Sequence, residues 1–234
     1  MKKTINTMFE ELAAKKSARL SGKLPAPSEE NIRNQQEYVR RLKAPPKKVS
    51  MLSAYRVLLT DLKAQKTNHP NGYQVTNEVK DAIRGFLKVL INREKWPLIV
   101  GNLGTGKSML AQAMCRFSGK FSNLPTFIMI STHDVVSNYN DKGEEYLQSL
   151  QSKNIMFDDL GAELVSFHYQ KEDLFIRLIQ LRYNARNRVL TGFTSNSTRN
   201  QLFERYGERS MERIDEMAVV LPLGADAKAV NYRK

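Results

Sequence analysis

The chain has 234 residues, of which 41% are hydrophobic, and a formal net charge of +13. This length accommodates one α/β domain and a small additional module, and the charge favours acidic partners, nucleic acid above all, over a merely solvated basic face. No apolar run approaches a membrane span and no signal-peptide core is present, while the single cysteine and three histidines lack metal-ligand spacing. We therefore expect a cytoplasmic protein with no membrane anchor and no zinc site.

The first fifty residues form a basic segment with twelve Lys or Arg and five Asp or Glu. Apolar side chains recur at helical spacing in TINTMFEELAAKKSARL, where Ile5, Phe9 and Leu12 share one face. A second short helix is predicted in SEENIRNQQEYVRRL, and the prolines of residues 43–48 then stop the helix. Two such helices bury little core, so we expect residues 1–48 to be a partner-binding module; the alternative is an arm packed on the rest of the chain.

Residues 49–234 alternate between short apolar segments and amphipathic ones, as α/β domains do. Five segments are predicted to be strands: WPLIVG (96–101), PTFIMIS (125–131), NIMFDD (154–159), RVLTGFTSN (188–196) and AVVLPL (218–223). The segments between them predict helices, including one over 76–93 and one continuous helix from Thr132 to Leu150. We therefore expect a mostly parallel sheet covered by helices.

Three glycines within six residues mark the end of the first predicted strand and the turn into the helix that follows it. The stretch GNLGTGKS matches the pattern G-x-x-x-x-G-K-[ST], whose glycines let backbone N–H groups and a helix N-terminus face a phosphate. Lys107 is predicted to reach the β- and γ-phosphates of ATP, and the Ser108 hydroxyl to ligate Mg²⁺; the alternative is an ordinary glycine-rich turn. The predicted nucleotide site comprises Gly101, Asn102, Leu103, Gly104, Thr105, Gly106, Lys107, Ser108 and Met109.

Polar side chains end two further predicted strands. Asp158 and Asp159 follow the apolar start of NIMFDD, about fifty residues after the loop, and Asn196 ends RVLTGFTSN. Ligands of open α/β sheets bind at the carboxyl ends of the strands, so we expect these groups to share one edge with the loop. Asp158 is predicted to hold Mg²⁺ and Asp159 to orient the attacking water.

The segment ERYGERSMERIDE carries three arginines, of which Arg209 and Arg213 share one helical face while Arg205 lies one turn earlier. Two interpretations remain open at this point. The arginines could form a solvated face with neighbouring acids, namely Glu208, Glu212 and Glu216. Alternatively, one of them is an arginine finger that reaches the γ-phosphate bound by a neighbouring subunit.

In combination and order, GNLGTGKS, NIMFDDLG, TGFTSN, YGERSMER and the terminal NYR resemble the AAA+ helicase loaders of the DnaC type, with relatives among the IstB-like transposition ATPases. The resemblance runs from about Ser53 to Arg233. It implies an AAA+ P-loop domain without a separate C-terminal lid. The implied roles are Walker A at Gly101–Ser108, Walker B at Asp158–Asp159, sensor 1 at Asn196, an arginine finger at Arg213 with Arg209 beside it, and a sensor 2-like arginine at Arg233.

The resemblance also implies ATP-dependent loading of a hexameric DnaB-type helicase onto single-stranded DNA. The helicase would bind residues 1–48, and the subunits would form a homo-oligomer with shared active sites. Because Asp159 stands where many AAA+ proteins have Glu, we expect slow hydrolysis that switches states. The alternatives are an IstB-like ATPase that selects target DNA, a P-loop small-molecule kinase, and an ATP-binding adaptor with little hydrolysis.

Aromatic and basic side chains near the predicted helix 132–150 and after Walker B are candidates for contacts with single-stranded DNA, because aromatic rings stack on bases while cations meet phosphates. Stripes of aromatic residues are more often part of a core, so each is a weak candidate. They are Tyr139, Lys142, Phe167, His168 and Tyr169.

Overall fold

The structure is a computed structural model that describes residues 50–65, 72–121, 124–163, 167–168 and 172–224. The predicted partner-binding module of residues 1–48, and its boundary with the predicted ATPase domain, lie outside the described residues. The same holds for Tyr169 and Arg233.

The described residues contain helices and strands in the alternating order that the sequence predicts. The helices are α1 Met51–Lys63, α2 Asn77–Asn92, α3 Lys107–Ser118, α4 Thr132–Lys142, α5 Glu144–Leu150, α6 Leu174–Asn184, α7 Arg199–Tyr206 and α8 Glu208–Met217. The strands are β1 Trp96–Gly101, β2 Phe127–Ser131, β3 Asn154–Asp158, β4 Phe167–His168, β5 Glu172–Asp173, β6 Thr191–Ser195 and β7 Ala218–Leu223. No helix of the described residues is long and apolar enough to cross a membrane.

Five strands form one parallel sheet in the order β2-β3-β6-β1-β7. β6 lies between β3 and β1, with Ile155 opposite Thr191 and Leu98 opposite Phe193. The loop after β1, the aspartates that end β3 and the residue after β6 therefore meet at one edge of the sheet. β4 and β5 pair separately as a short antiparallel ribbon.

Each face of the sheet is covered by its own hydrophobic core, because successive strand residues point to opposite sides. On β1, Ile99 packs with α1, α2 and α3, whereas Leu98 packs with helices α4 to α8. The first core includes Leu58, Leu62, Phe86 and Phe117, and the second includes Val135, Leu178, Ile214 and Phe157. Coverage on both faces is what a parallel sheet requires.

Local capping fixes several helix ends. Thr76 accepts a hydrogen bond from the Val79 amide at the start of α2, and α2 ends where Arg93 adopts a left-handed φ of 58°. α7 begins with a capping box in which Thr198 and Gln201 exchange side-chain and backbone hydrogen bonds. These caps set where α2 and α7 start, and α7 leads directly into α8.

The predicted continuous helix from Thr132 to Leu150 is wrong in one respect, since it is broken into α4 and α5 at Gly143. This glycine has φ 59° and ψ −143°, a region open only to glycine, and its amide donates to the Tyr139 carbonyl at 2.7 Å. The chain therefore turns between two helices whose apolar faces both join the second core.

Trp96, the single tryptophan of the chain, lies at the start of β1 and is completely buried. Its ring meets Phe193 of β6 edge-on, with centroids 6.0 Å apart. The indole nitrogen has no hydrogen-bond partner among the described residues. The base of the central strands is thus an aromatic, apolar environment, opposite to the polar edge.

Candidate functional site

The loop after β1 is built by glycines in backbone conformations that other residues rarely adopt. Gly104 and Gly106 have φ values of 81° and 83°, and a Cβ on Gly101 would lie 1.9 Å from the Leu223 carbonyl oxygen. Gly106 is the N-cap of α3 and provides no capping side chain. The positive end of α3 and the loop amides are therefore available to an anion.

Lys107 lies inside this loop although it is charged, since only 4% of its surface is exposed. Its Nζ atom donates to the carbonyls of Gly101 and Asn102, each at 2.8 Å. The loop backbone thus holds the ammonium group where it can meet a phosphate bound by the same loop.

Asp158 lies beside Ser108, as their predicted roles require. The Ser108 hydroxyl donates to Asp158 Oδ1 at 3.0 Å, and the Thr194 hydroxyl donates to the same oxygen at 2.5 Å. Burial raises the pKa of Asp158, and the two hydroxyl donors oppose that shift. A hydroxyl and a carboxylate in contact are hard oxygen ligands of the kind that Mg²⁺ uses, so this donor set fits the metal predicted there.

Asp159 is held on three sides although its φ of 63° is unusual for a residue with a side chain. Its Oδ1 accepts a hydrogen bond from the Asn196 amide nitrogen at 2.9 Å, its backbone N–H donates to Thr194 Oγ1 at 2.9 Å, and its carbonyl accepts from the Thr132 hydroxyl at 2.9 Å. The structure therefore brings Asp159 and Asn196 into direct contact.

Thr194 joins both aspartates and was not among the predicted site residues. Its hydroxyl donates to Asp158 and accepts from the Asp159 amide. A polar residue inside a strand that is buried throughout is a signal that could have identified it. Two further contacts had no such signal: Tyr73 donates to the Gly106 carbonyl at 3.3 Å, and Gln65 donates to the Met109 carbonyl at 2.9 Å.

Arg209 and Arg213 both lie on α8. Arg209 is exposed, and neither arginine is hydrogen-bonded to Asp158 or Asp159 in the part of the chain that the structure describes. In the same part, neither forms an ion pair with the neighbouring acids, which are Glu208, Glu212 and Glu216.

Arg213 instead lies over the ring of Tyr183, with its Cζ 5.5 Å from the centroid, and Arg186 stacks on the same ring at 4.2 Å. The Tyr183 hydroxyl donates to Glu216 at 2.7 Å. Arg213 is therefore held by an aromatic contact at the end of α6.

The candidates for contacts with DNA are not brought together into one described surface. Tyr139 is half-buried and packs against the second core, while Lys142 is exposed and its Nζ lies 5.8 Å from the ring centroid of Tyr146. Phe167 and His168 form β4. The packing of Tyr139 favours a core role for it.

Residues 97–203 match the family described as "ATPase family associated with various cellular activities (AAA)". This match, together with the parallel five-stranded sheet, confirms the predicted AAA+ P-loop fold.

Solved structures with the same fold include DnaI, which is 22% identical over 74% of this chain and 93% of its own, with a TM-score of 0.54. The DnaC helicase loader is 23% identical over 64% of this chain and 93% of its own, with a TM-score of 0.52. DnaA from Aquifex aeolicus bound to AMPPCP is 19% identical over 67% and 50%, with a TM-score of 0.53. At these identities the likeness defines the fold. A search of curated proteins gives no match.

Proposed function

We propose that this protein is an ATP-dependent loader of a hexameric DnaB-type replicative helicase onto single-stranded DNA. The observation that carries the ATP-dependent part is the contact of Ser108 with Asp158 beside a loop that encloses Lys107. The loader part is supported by the order of the sequence motifs and by a fold shared with DnaI and DnaC.

In this proposal residues 101–109 hold ATP and two side chains hold Mg²⁺. The loop amides and Lys107 meet the phosphates, while Ser108 and Asp158 ligate the metal, whose role is to neutralise charge on the phosphates. The 3.0 Å contact between the two oxygen ligands supports a shared ion.

Asp159 is the proposed base toward water, and Asn196 orients its carboxylate through the 2.9 Å hydrogen bond. An aspartate reaches one methylene less far than the glutamate found in many AAA+ proteins. We therefore propose slow hydrolysis that works as a switch, and the ATP-binding adaptor is the limiting case of no turnover.

The protein is proposed to act as a homo-oligomer in which Arg213 of one subunit, with Arg209 beside it, completes the nucleotide site of the next. This is supported by the absence, among the described residues, of any bond from either arginine to the aspartates of its own chain. Arg233 is proposed to contact nucleotide within its own subunit.

Residues 1–48 are proposed to bind the helicase, and the charge of +13 supports an encounter with nucleic acid in the cytoplasm. The second candidate function is an IstB-like transposition ATPase that selects target DNA. It shares the AAA domain, so the partner distinguishes the two functions.

Loading is tested with the DnaB-type helicase of the same genome, by measuring its capture on beads and its deposition on circular single-stranded DNA. The full chain is expected to do both, and Lys107→Ala to capture the helicase but not to deposit it in response to ATP. Removal of residues 1–48 is expected to abolish capture while ATP binding persists.

The double variant Phe9→Glu with Leu12→Glu keeps the full chain length and is expected to abolish capture as the truncation does, because two charges in an apolar contact are costly to desolvate. A truncated chain that captures the helicase with unchanged affinity would refute the binding assignment. Lys107→Ala with ATP turnover equal to the wild type would refute the nucleotide site itself.

A further inference from the structure

A buried acid follows the Walker B turn and has no part in the site described so far. Glu163 is 3% exposed, and its carboxylate accepts hydrogen bonds from the Gly161 amide at 3.0 Å, from Arg205 Nε at 2.9 Å and from the Tyr206 hydroxyl. Arg205 also donates to the Glu163 carbonyl at 2.7 Å. A carboxylate this deeply buried persists only when it is paired in this way.

The donors to Glu163 come from two different elements, and each carboxylate oxygen serves one of them. Oε2 accepts from the turn, through Gly161, whereas Oε1 accepts from α7, through Arg205 and Tyr206. Burial and the neighbouring carboxylate raise the pKa of Tyr206, so its hydroxyl stays a donor. Glu163 is therefore a connector between the turn and α7.

The turn that Glu163 anchors begins at Asp159. Within it the Ala162 amide donates to the Asp159 carbonyl at 3.0 Å, and the Leu160 amide donates to the Thr194 carbonyl at 2.8 Å. Gly161 has φ 95°, and a Cβ there would lie 2.8 Å from Ser197 Oγ. The turn has one tightly specified path, so displacement of Gly161 moves Asp159.

On its other side Glu163 is bonded to α7, and the chain continues from α7 to the arginines of α8. α7 ends at Tyr206, and after Gly207 the chain enters α8, which carries Arg209 and Arg213. Tyr206 and Met211 pack in the same core and hold the two helices together.

We infer that Glu163, with Arg205 and Tyr206, is a positioning residue that links the Walker B turn of a subunit to the helix pair bearing its arginines. This inference rests on the proposed function of Asp159 and Arg213. Through the link, the geometry of a subunit's own hydrolytic carboxylate and the position of the arginine offered to its neighbour change together.

Glu163→Gln tests the link with little change of shape. The amide has one oxygen and one NH₂ group, so it cannot accept from the turn and from α7 on opposite sides at once. We expect the turnover number for ATP to fall about ten- to a hundredfold, as for a misplaced catalytic group, while KM for ATP stays unchanged. The matched control is Glu204→Gln, which removes an exposed acid of α7, the helix that carries Arg205 and Tyr206. It is expected to leave both parameters unchanged.

The double variant Glu163→Gln with Arg205→Met distinguishes a purely structural role of Glu163 from the proposed positioning role. Removal of both charges relieves the uncompensated arginine, so the melting temperature is expected to recover relative to Glu163→Gln while the turnover number stays low. Recovery of the turnover number together with the melting temperature would overturn the inference.

Hydrogen–deuterium exchange of the full chain without nucleotide gives a readout that does not depend on ATP turnover. In Glu163→Gln, exchange is expected to rise in both 159–163 and 199–206, and in Glu204→Gln in neither. An unchanged turn in Glu163→Gln would overturn the link. A wild type without ATP turnover would refute the proposed hydrolysis and leave only the ATP-binding adaptor, and the exchange result would still decide whether the link exists.

Discussion

At the scale of single residues, Cys115 makes a pH-dependent contribution to stability. Burial on α3 raises the pKa of this thiol from 9.0 to about 12, with Asp158 acting in the same direction and Arg116 opposing it. The unfolded chain therefore loses this proton at lower pH than the folded one. The stabilisation is fully present below about pH 9, and it is lost as pH rises toward 12, by up to about 1.4 kcal/mol per pH unit.

The prediction is checked by urea unfolding of the wild type and of Cys115→Ala between pH 8 and about pH 11. The wild type is expected to lose stability more steeply above pH 9. Burial also raises the pKa values of Tyr146 and Tyr206, and their contribution is common to both proteins. Parallel pH curves for the two proteins would contradict the assigned burial of the thiol.

Residues that belong to a recognisable short pattern or end a predicted strand were predictable, whereas residues whose roles come only from distant contacts were not. Lys107 and Ser108 form a short pattern with a physical mechanism, and Asp158 follows an apolar strand. Thr194 and Glu163 acquire their roles from partners 36 and 42 residues away. No local periodicity encodes such a contact, because it depends on how the strands and helices are ordered in space.

At the scale of the elements, Gly143 determines that α4 and α5 are two helices. Its φ of 59° with ψ −143° is strained for any other residue, and a Cβ there would meet nothing within 4 Å. Gly143→Ala therefore isolates backbone strain, and we expect it to lower the free energy of unfolding by about 1–3 kcal/mol.

The matched control is Gly119→Ala, since Gly119 ends α3 with φ −73° and a Cβ there would make only ordinary contacts, at 3.7 Å or more. This change is expected to be neutral or to stabilise by up to about 1 kcal/mol. Urea denaturation measures both variants. Equal effects from the two would argue against the positive-φ conformation of Gly143.

The elements themselves followed largely from local patterns. The predicted strands 96–101 and 218–223 have the same bounds as β1 and β7; Lys95 precedes the first apolar run and Gly224 follows the second. The break at Gly143 was missed, since apolar spacing continues across it and a φ value leaves no trace in periodicity. The order β2-β3-β6-β1-β7 and the ribbon of β4 and β5 depend on pairing between distant segments, which local patterns do not specify.

At the scale of the whole molecule, the proposed shared active site predicts complementation between two inactive variants. Lys107→Ala removes the loop lysine but keeps Arg213, and Arg213→Ala does the reverse. In an equimolar mixture about a quarter of the interfaces, if subunits mix at random, combine an intact loop with an intact arginine. ATP turnover is therefore expected to return in the mixture although each variant alone lacks it.

The control is a mixture of Lys107→Ala with the double variant Lys107→Ala and Arg213→Ala, which contains no intact loop and should stay inactive. Wild-type turnover per subunit should also rise with protein concentration, because the site forms only on assembly. Turnover independent of concentration, together with an inactive first mixture, would place the arginine's role within one subunit.

Because Trp96 is buried, its intrinsic fluorescence is a probe of the folded state of this part of the chain. An indole ring enclosed by apolar side chains emits at shorter wavelength than one in water, and residues 1–48 contain no tryptophan. Tryptophan emission, excited selectively over tyrosine, therefore reports the environment of β1, which leads into the loop, and of β6, which pairs with the strand that carries Asp158. Loss of order around β1 and β6 can thus be followed by emission of the protein alone, without a label.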